Sequence, residues 1–294
     1  MKTLALIGLG RWGHNYLKPY ESSHFLIKYI CSLHINVKSF NRNKFVGVEN
    51  FKELLKKTDI DGVIISTPSD THFEIAYFFL NNGFNVLIEK PIAKTTSEVK
   101  KIYSLANSKS KSVLTNYPYL YNPAFIKFQE EIKKIGKITN IEIKLGNKDE
   151  ENKNALWEWG PHVFAVIYSI IKKKPASLDI SKNKNIISFK MSFQNGILID
   201  STIGFGLEEN MRVFICKGEK GEVVYNELAR NKVYLKTDFG EKNLNYPKES
   251  ALENLLTSFC LSMDSKTKNE YFGLDNYVTN LLGKVEKLIK INNL

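Results

Sequence analysis

A chain of 294 residues, 43% of them hydrophobic, can bury two packed cores, and no apolar run in it reaches the length of a membrane span. The formal charge of +11 rests almost wholly on dispersed lysines, since Arg11, Arg42, Arg212 and Arg230 are the only arginines; a base-reading surface favours clustered arginine forks, so nucleic acid is not an expected partner. Cys31, Cys216 and Cys260 are scattered, with no C-x-x-C pair, which excludes a disulfide frame or a zinc site and suggests reduced thiols in the cytoplasm.

In chain order, TLALIGLG (3–10) reads as a strand entering a glycine turn rather than as a leader, because Arg11 and Trp12 interrupt the apolar run. A short helix is expected over 12–20, and FLIKYICS (25–32) reads as a second strand. FKELLKKT (51–58) is helical, GVIIST (62–67) a strand stopped by Pro68, and THFEIAYFFLNNG (71–83) a helix closed by Gly83. NVLIEK is a strand, TSEVKKIYSLANS (96–108) a helix and SVLTNY (112–117) a strand. This alternation predicts a doubly wound parallel α/β sheet over residues 1–118. From 119 to 294 the pattern changes to an amphipathic helix (122–136), an apolar helix near 157–171, a strand meander and two closing helices. That predicts an α+β domain on a largely antiparallel open sheet.

Gly8-Leu9-Gly10-Arg11-Trp12-Gly13 fits G-x-G-x-x-G between a strand and a helix, the context in which backbone amides cradle a dinucleotide pyrophosphate. Arg11 and Trp12 fall inside that cradle. The acid that usually holds the adenosine ribose at the end of the second strand is missing; Ser32 stands there, with His34 and Lys38 near, so NAD and NADP both stay open. Thr67, Pro68 and His72 follow the third strand at the carboxyl edge of the sheet, where ligands bind in such folds. At the end of the next strand stand two opposite charges and a proline, Glu89-Lys90-Pro91.

Taken together, the glycine turn, TPSDTH (67–72), EKP (89–91), YNPAF (121–125) and WGPH (159–162) resemble, in order and spacing, the Gfo/Idh/MocA oxidoreductase family over essentially the whole chain. WEWGPH is similar to members associated with nucleotide-sugar and surface-polysaccharide pathways. The resemblance implies that Lys90 stands between nicotinamide and the reacting sugar carbon, with Glu89 and Pro91 orienting it. It implies that His162 is the catalytic histidine and Glu158 its acidic neighbour, where the family usually has aspartate; Ala165 replaces a second frequent acid.

Spacing makes independent sense of that pair. Residues 158 and 162 share one helix face, so a carboxylate can orient an imidazole or bind a sugar hydroxyl. An imidazole can carry the proton that accompanies hydride transfer, while Lys90 polarises the same oxygen. No third ligand at useful spacing supports a metal at Glu158 and His162. Tyr119 and Asn122 are candidate sugar contacts where the first domain hands over to the second. The open second sheet needs covering, which predicts a homodimer or homotetramer. The expected activity is NAD(P)-dependent hydride transfer to or from a sugar hydroxyl or keto carbon, that of a nucleotide sugar in surface-polysaccharide biosynthesis. The alternatives are redox-assisted glycoside cleavage and a non-catalytic NAD(P)-binding regulator.

Overall fold

The computed structural model describes residues 1–19, 21–33, 44–265 and 269–292; His34 and Lys38, named above, lie outside them. Two compact units emerge: Met1–Pro118 with Leu252–Thr279, and Tyr119–Ala251 with Asn280–Leu294.

The first unit is built on a six-stranded parallel sheet. Its strands are β1 (Lys2–Ile7), β2 (Phe25–Cys31), β3 (Val46–Val48), β4 (Gly62–Ile65), β5 (Asn85–Glu89) and β6 (Val113–Asn116), in the order β3-β2-β1-β4-β5-β6. Every residue of β4, β5 and β6 is buried, which is why their sequences are continuous rather than alternating. Helices α1 (His72–Asn81) and α2 (Thr96–Ser108) cover one face, where Ile75, Phe79, Val99 and Ile102 join Val63, Ile65, Val86 and Ile88 in a single core. Gly83 ends α1 at φ +83°, with the Phe84 amide returning to the Phe79 carbonyl at 3.0 Å and the two rings in edge contact. Thr95 and Glu98 form a reciprocal capping box at the start of α2.

The second unit carries an eight-stranded sheet: β7 (Ile138–Asn147), β8 (Ser177–Asn183), β9 (Ile186–Ser192), β10 (Leu198–Phe205), β11 (Met211–Gly218), β12 (Gly221–Asn226), β13 (Val233–Thr237) and β14 (Gly240–Asn243). The order is β14-β13-β12-β11-β7-β10-β9-β8, antiparallel except for β7 beside β10. Helices α3 (Pro123–Ile132) and α4 (Ala155–Ile171) belong to this unit. The expected Rossmann sheet and largely antiparallel second sheet are thus both present.

Two features differ from the sequence expectation. The segment after the glycine turn forms only a 3-10 turn, Gly13–Leu17. Lys18 keeps helical dihedrals, but Pro19 lacks the amide that would extend a helix. The second is where α5 (Ala251–Asp264) and the start of α6 (Phe272–Ile291) belong, because residues 252–279 group with the first unit. At Gly62 a Cβ would fall 2.7 Å from Met263 Cε and 3.1 Å from Phe259 Cζ of α5. Alternation along β4 puts Gly62 opposite Val63, so α5 covers the sheet face that α1 and α2 leave open.

In α6, Asp275 is fully buried and accepts hydroxyl donors from Tyr103 (2.6 Å), Tyr117 (2.8 Å) and Thr115 (2.9 Å). Burial pushes its carboxyl up to about 6, against the three hydrogen bonds. The folded chain therefore keeps this proton to a higher pH than the unfolded one, where the group titrates near 4, and stability contributed below pH 4 is lost as pH rises through 6. Urea denaturation should show the difference in stability between wild type and Asp275→Asn changing by about 2 kcal/mol between pH 4 and pH 7, with wild type losing ground. A constant difference would contradict a proton held at this site.

Candidate active site

Parallel strands bring their carboxyl ends to one edge of the first sheet, and the motifs collect there. The Gly8 amide donates to the Cys31 carbonyl at 2.8 Å and the Ser66 amide to the Ile7 carbonyl at 2.8 Å. Gly8 has φ +94°, and a Cβ on it would fall 2.5 Å from the Ser66 carbonyl oxygen; one on Gly13 would fall 2.3 Å from the Gly8 oxygen. Only glycine permits this packing. Over Gly10 a Cβ would meet nothing within 4 Å, so the backbone there faces open space. Ser66 Oγ is buried beside the turn, with no hydrogen-bond partner among the described residues. An open backbone face next to an unsatisfied hydroxyl fits a phosphate-bearing group such as NAD or NADP. Arg11 is exposed and Trp12 is 46% exposed on the same turn, and Ser32 is half-buried just past β2.

The charges ending β5 play different parts. Glu89 is 7% exposed, and its Oε1 accepts from Tyr16 Oη at 2.6 Å and Asn116 Nδ2 at 2.7 Å. Burial pushes its carboxyl up, while Tyr16, Asn116 and the charge of Lys90 pull it down; the Tyr16 phenol is held well above its ordinary range by burial and by the Glu89 charge. This carboxylate ties β5, β6 and the 3-10 turn together. Lys90, half-buried, follows it, and its bond to Pro91 is cis.

His72 is 1% exposed, with Nδ1 2.8 Å from the Pro91 carbonyl oxygen and Nε2 2.9 Å from that of Thr67. Burial pushes its pKa down against those two carbonyls. It clamps the turn after β4 to the turn after β5. Thr71 Oγ1 donates to Thr67 Oγ1 and to the Pro68 carbonyl, both at 2.7 Å, closing the first of these turns.

In the second unit, Asn154 caps α4 by accepting from the Leu156 and Trp157 amides. Glu158 and His162 lie one turn apart on that helix, both half-buried. The His162 ring stands edge to face with Tyr119, centroids 5.5 Å apart, and 6.3 Å from Trp159. Tyr119 is 7% exposed and donates its hydroxyl to Glu227 Oε2 at 3.1 Å. Asn122 is engaged locally: its Oδ1 accepts the Ala124 amide as the cap of α3, and its Nδ2 donates to Tyr225 Oη.

One residue near His162 escaped the sequence reading. Arg212 of β11 lies over the Trp159 ring at 4.1 Å. Its Nη1 donates to the carbonyls of Gly146 (2.5 Å) and Met211 (2.6 Å), and its Nη2 to Asn147 Oδ1 (2.7 Å). The available signal was arginine itself, a rare choice in a chain that otherwise uses lysine. Among the described residues there is no cluster of three or more His, Cys, Asp or Glu able to hold a metal ion. No helix among them is long and apolar enough to cross a membrane.

Comparison with known proteins adds a family match over residues 2–117 and a fold. Residues 2–117 match the Gfo/Idh/MocA family model, described as oxidoreductase family, NAD-binding Rossmann fold. The chain is 28% identical over 147 residues to the uncharacterized oxidoreductase YhhX of Escherichia coli, a match covering 47% of this chain and 42% of that protein. The chain thus spans under half the length of that curated relative. Among solved structures, the UDP-N-acetylglucosamine 3-dehydrogenase GnnA of Acidithiobacillus ferrooxidans superposes with TM-score 0.86 at 15% identity, covering 97% of this chain and 96% of that one. The 3-ketoreductase KijD10 of Actinomadura kijaniata, in complex with NADP and TDP-benzene, gives 0.83 at 15% identity, with 97% of each chain covered. At those identities the likeness shows the fold.

Proposed function

We propose, from the match of residues 2–117 to the Gfo/Idh/MocA oxidoreductase family with its NAD-binding Rossmann fold, an NAD(P)-dependent oxidoreductase acting on a sugar hydroxyl or keto carbon, with a nucleotide-activated sugar as substrate. One observation carries the reading: the glycine turn with open space over Gly10, the Thr67-Pro68 turn and the Glu89-Lys90-Pro91 turn share one edge of the first sheet. The dehydrogenase GnnA and the ketoreductase KijD10, whose fold this chain shares, support the sugar-nucleotide class.

When bound, the nicotinamide supplies the acceptor or donor of a hydride. Gly8, Gly10 and Gly13 would let its phosphates approach the backbone, and Arg11 and Trp12, exposed on the same turn, would help to hold them. Lys90 polarises the sugar oxygen with its ammonium. His162 takes the hydroxyl proton in oxidation or returns it in reduction, and Glu158, one turn back, orients the imidazole. Tyr119 forms the aromatic wall beside that ring.

A homodimer or homotetramer in the cytoplasm belongs to the same proposal. Cys31, Cys216 and Cys260 are buried free thiols, which suits a reducing compartment. Light scattering should return two or four chains per particle, and a monomer would contradict this part. The activity itself is tested with purified protein, both cofactors and a panel of free and nucleotide-activated sugars. A substrate-dependent change in nicotinamide absorbance is expected. Calorimetric cofactor binding with no hydride transfer to or from any sugar would overturn the enzyme reading in favour of a regulator.

A further inference from the structure

Among the described residues, Arg212 has no carboxylate partner to neutralise its charge. Of its five N–H donors, both on Nη1 and one on Nη2 go to neutral oxygens, those of Gly146, Met211 and Asn147. Among the described residues none of its bonds is to a carboxylate, and Nε and the remaining Nη2 proton have no acceptor. A half-buried cation without a counter-ion is costly to keep, and an indole face offsets that cost only in part.

The indole beneath it supplies a second, independent sign. Trp159 is 9% exposed, and its Nε1–H is buried with no acceptor among the described residues. Buried donors are nearly always paired, so an unpaired one calls for a missing acceptor. Unused donors therefore occur on both members of one stack. That stack is held in place: Arg212 sits in register with Leu145 on β11 and β7, and grips carbonyls at the ends of both strands. Arg212 and His162 flank the same indole, at 4.1 Å and 6.3 Å, which puts guanidinium and imidazole within about 10 Å of each other.

We propose that the Arg212–Trp159 stack is the subsite for an anionic oxygen of the substrate, and so sets specificity for acidic sugars or sugar phosphates. This rests on the reading of His162 as the proton carrier. The chemistry fits a diphosphate linkage or a uronic-acid carboxylate equally; either presents an oxygen to the free Nε and Nη2 donors. A neutral sugar would leave the guanidinium uncompensated once water is displaced, and is discriminated against for that reason.

Calorimetry on the full chain saturated with oxidised cofactor tests the proposal, using UDP, glucuronate and methyl glucoside as probes. Binding of UDP or of glucuronate, weakened by added salt, with no heat from methyl glucoside, is the expected result. Which anion binds identifies the source, diphosphate or carboxylate. Arg212→Gln should weaken that binding at least tenfold. Because Arg212 also braces β7 and β11, Trp159→Phe serves as a second variant; it keeps the stack, removes the N–H and should weaken binding several-fold at an unchanged melting temperature. Absence of binding by both anions, or equal affinity in folded Arg212→Gln, would overturn the subsite. Anion binding without sugar turnover would spare the subsite and overturn the enzyme reading. Turnover of neutral and anionic sugars at equal kcat/KM would do the reverse.

Discussion

Lys90→Ala is expected to lower kcat by about 10²–10³ or more while leaving cofactor affinity and melting temperature close to wild type. The size of the effect follows from how firmly the lysine is placed. Immediately before it, Glu89 is locked to Tyr16 and Asn116; immediately after it, the Pro91 carbonyl is held by His72. Two buried ties therefore aim one half-buried ammonium, and a charge positioned in advance contributes most where negative charge develops on oxygen in the transition state. The side chain itself is no part of the core, so its truncation costs little stability. Steady-state kinetics alongside calorimetry of cofactor binding separates the two effects. Turnover unchanged by the substitution would remove Lys90 from the mechanism.

His162→Asn should be the second severe loss, about 10²–10⁴ in kcat, the usual worth of a positioned general acid or base. Asparagine keeps a polar group of similar reach beside Tyr119 and Trp159, so the aromatic packing survives. What disappears is the imidazole that takes and returns a proton in the proposed reaction. The pH–rate profile should therefore lose the limb assigned to the imidazole, and Glu158→Gln should move that limb while costing less in kcat. A profile of unchanged shape in His162→Asn would place the proton transfer elsewhere.

Much of the fold could be read in the sequence because its signals are local. The strands at 62–65 and 85–89 are continuous apolar runs bounded by turns, and Gly83 and Thr95 mark helix ends through backbone chemistry that needs no distant partner. The 3-10 turn at Gly13–Leu17 has a local signal too, in Pro19, which cannot donate the amide that would extend a helix. The grouping of 252–279 with the first unit was not. It depends on Gly62 leaving room for Phe259 and Met263, a fit between residues about two hundred positions apart.

The same division holds for the candidate site. Lys90 and the glycine turn are carried by contiguous motifs. Asp275 is recognisable as a shared acceptor only once Tyr103, Thr115 and Tyr117 surround it. Arg212 acquires meaning only when strand register sets it over Trp159. Glu89, expected to orient its neighbour Lys90, is bonded inward to side chains 73 and 27 positions away.

In the proposed reaction, hydride passes between a sugar carbon and the nicotinamide on this chain. A substrate from the panel, deuterated at the reacting carbon, tests it directly in a single turnover with oxidised cofactor, read by mass spectrometry of the recovered nucleotide. Deuterium in the reduced nicotinamide, lost in Lys90→Ala, is the expected result. Deuterium retained in the sugar or released to water would contradict it.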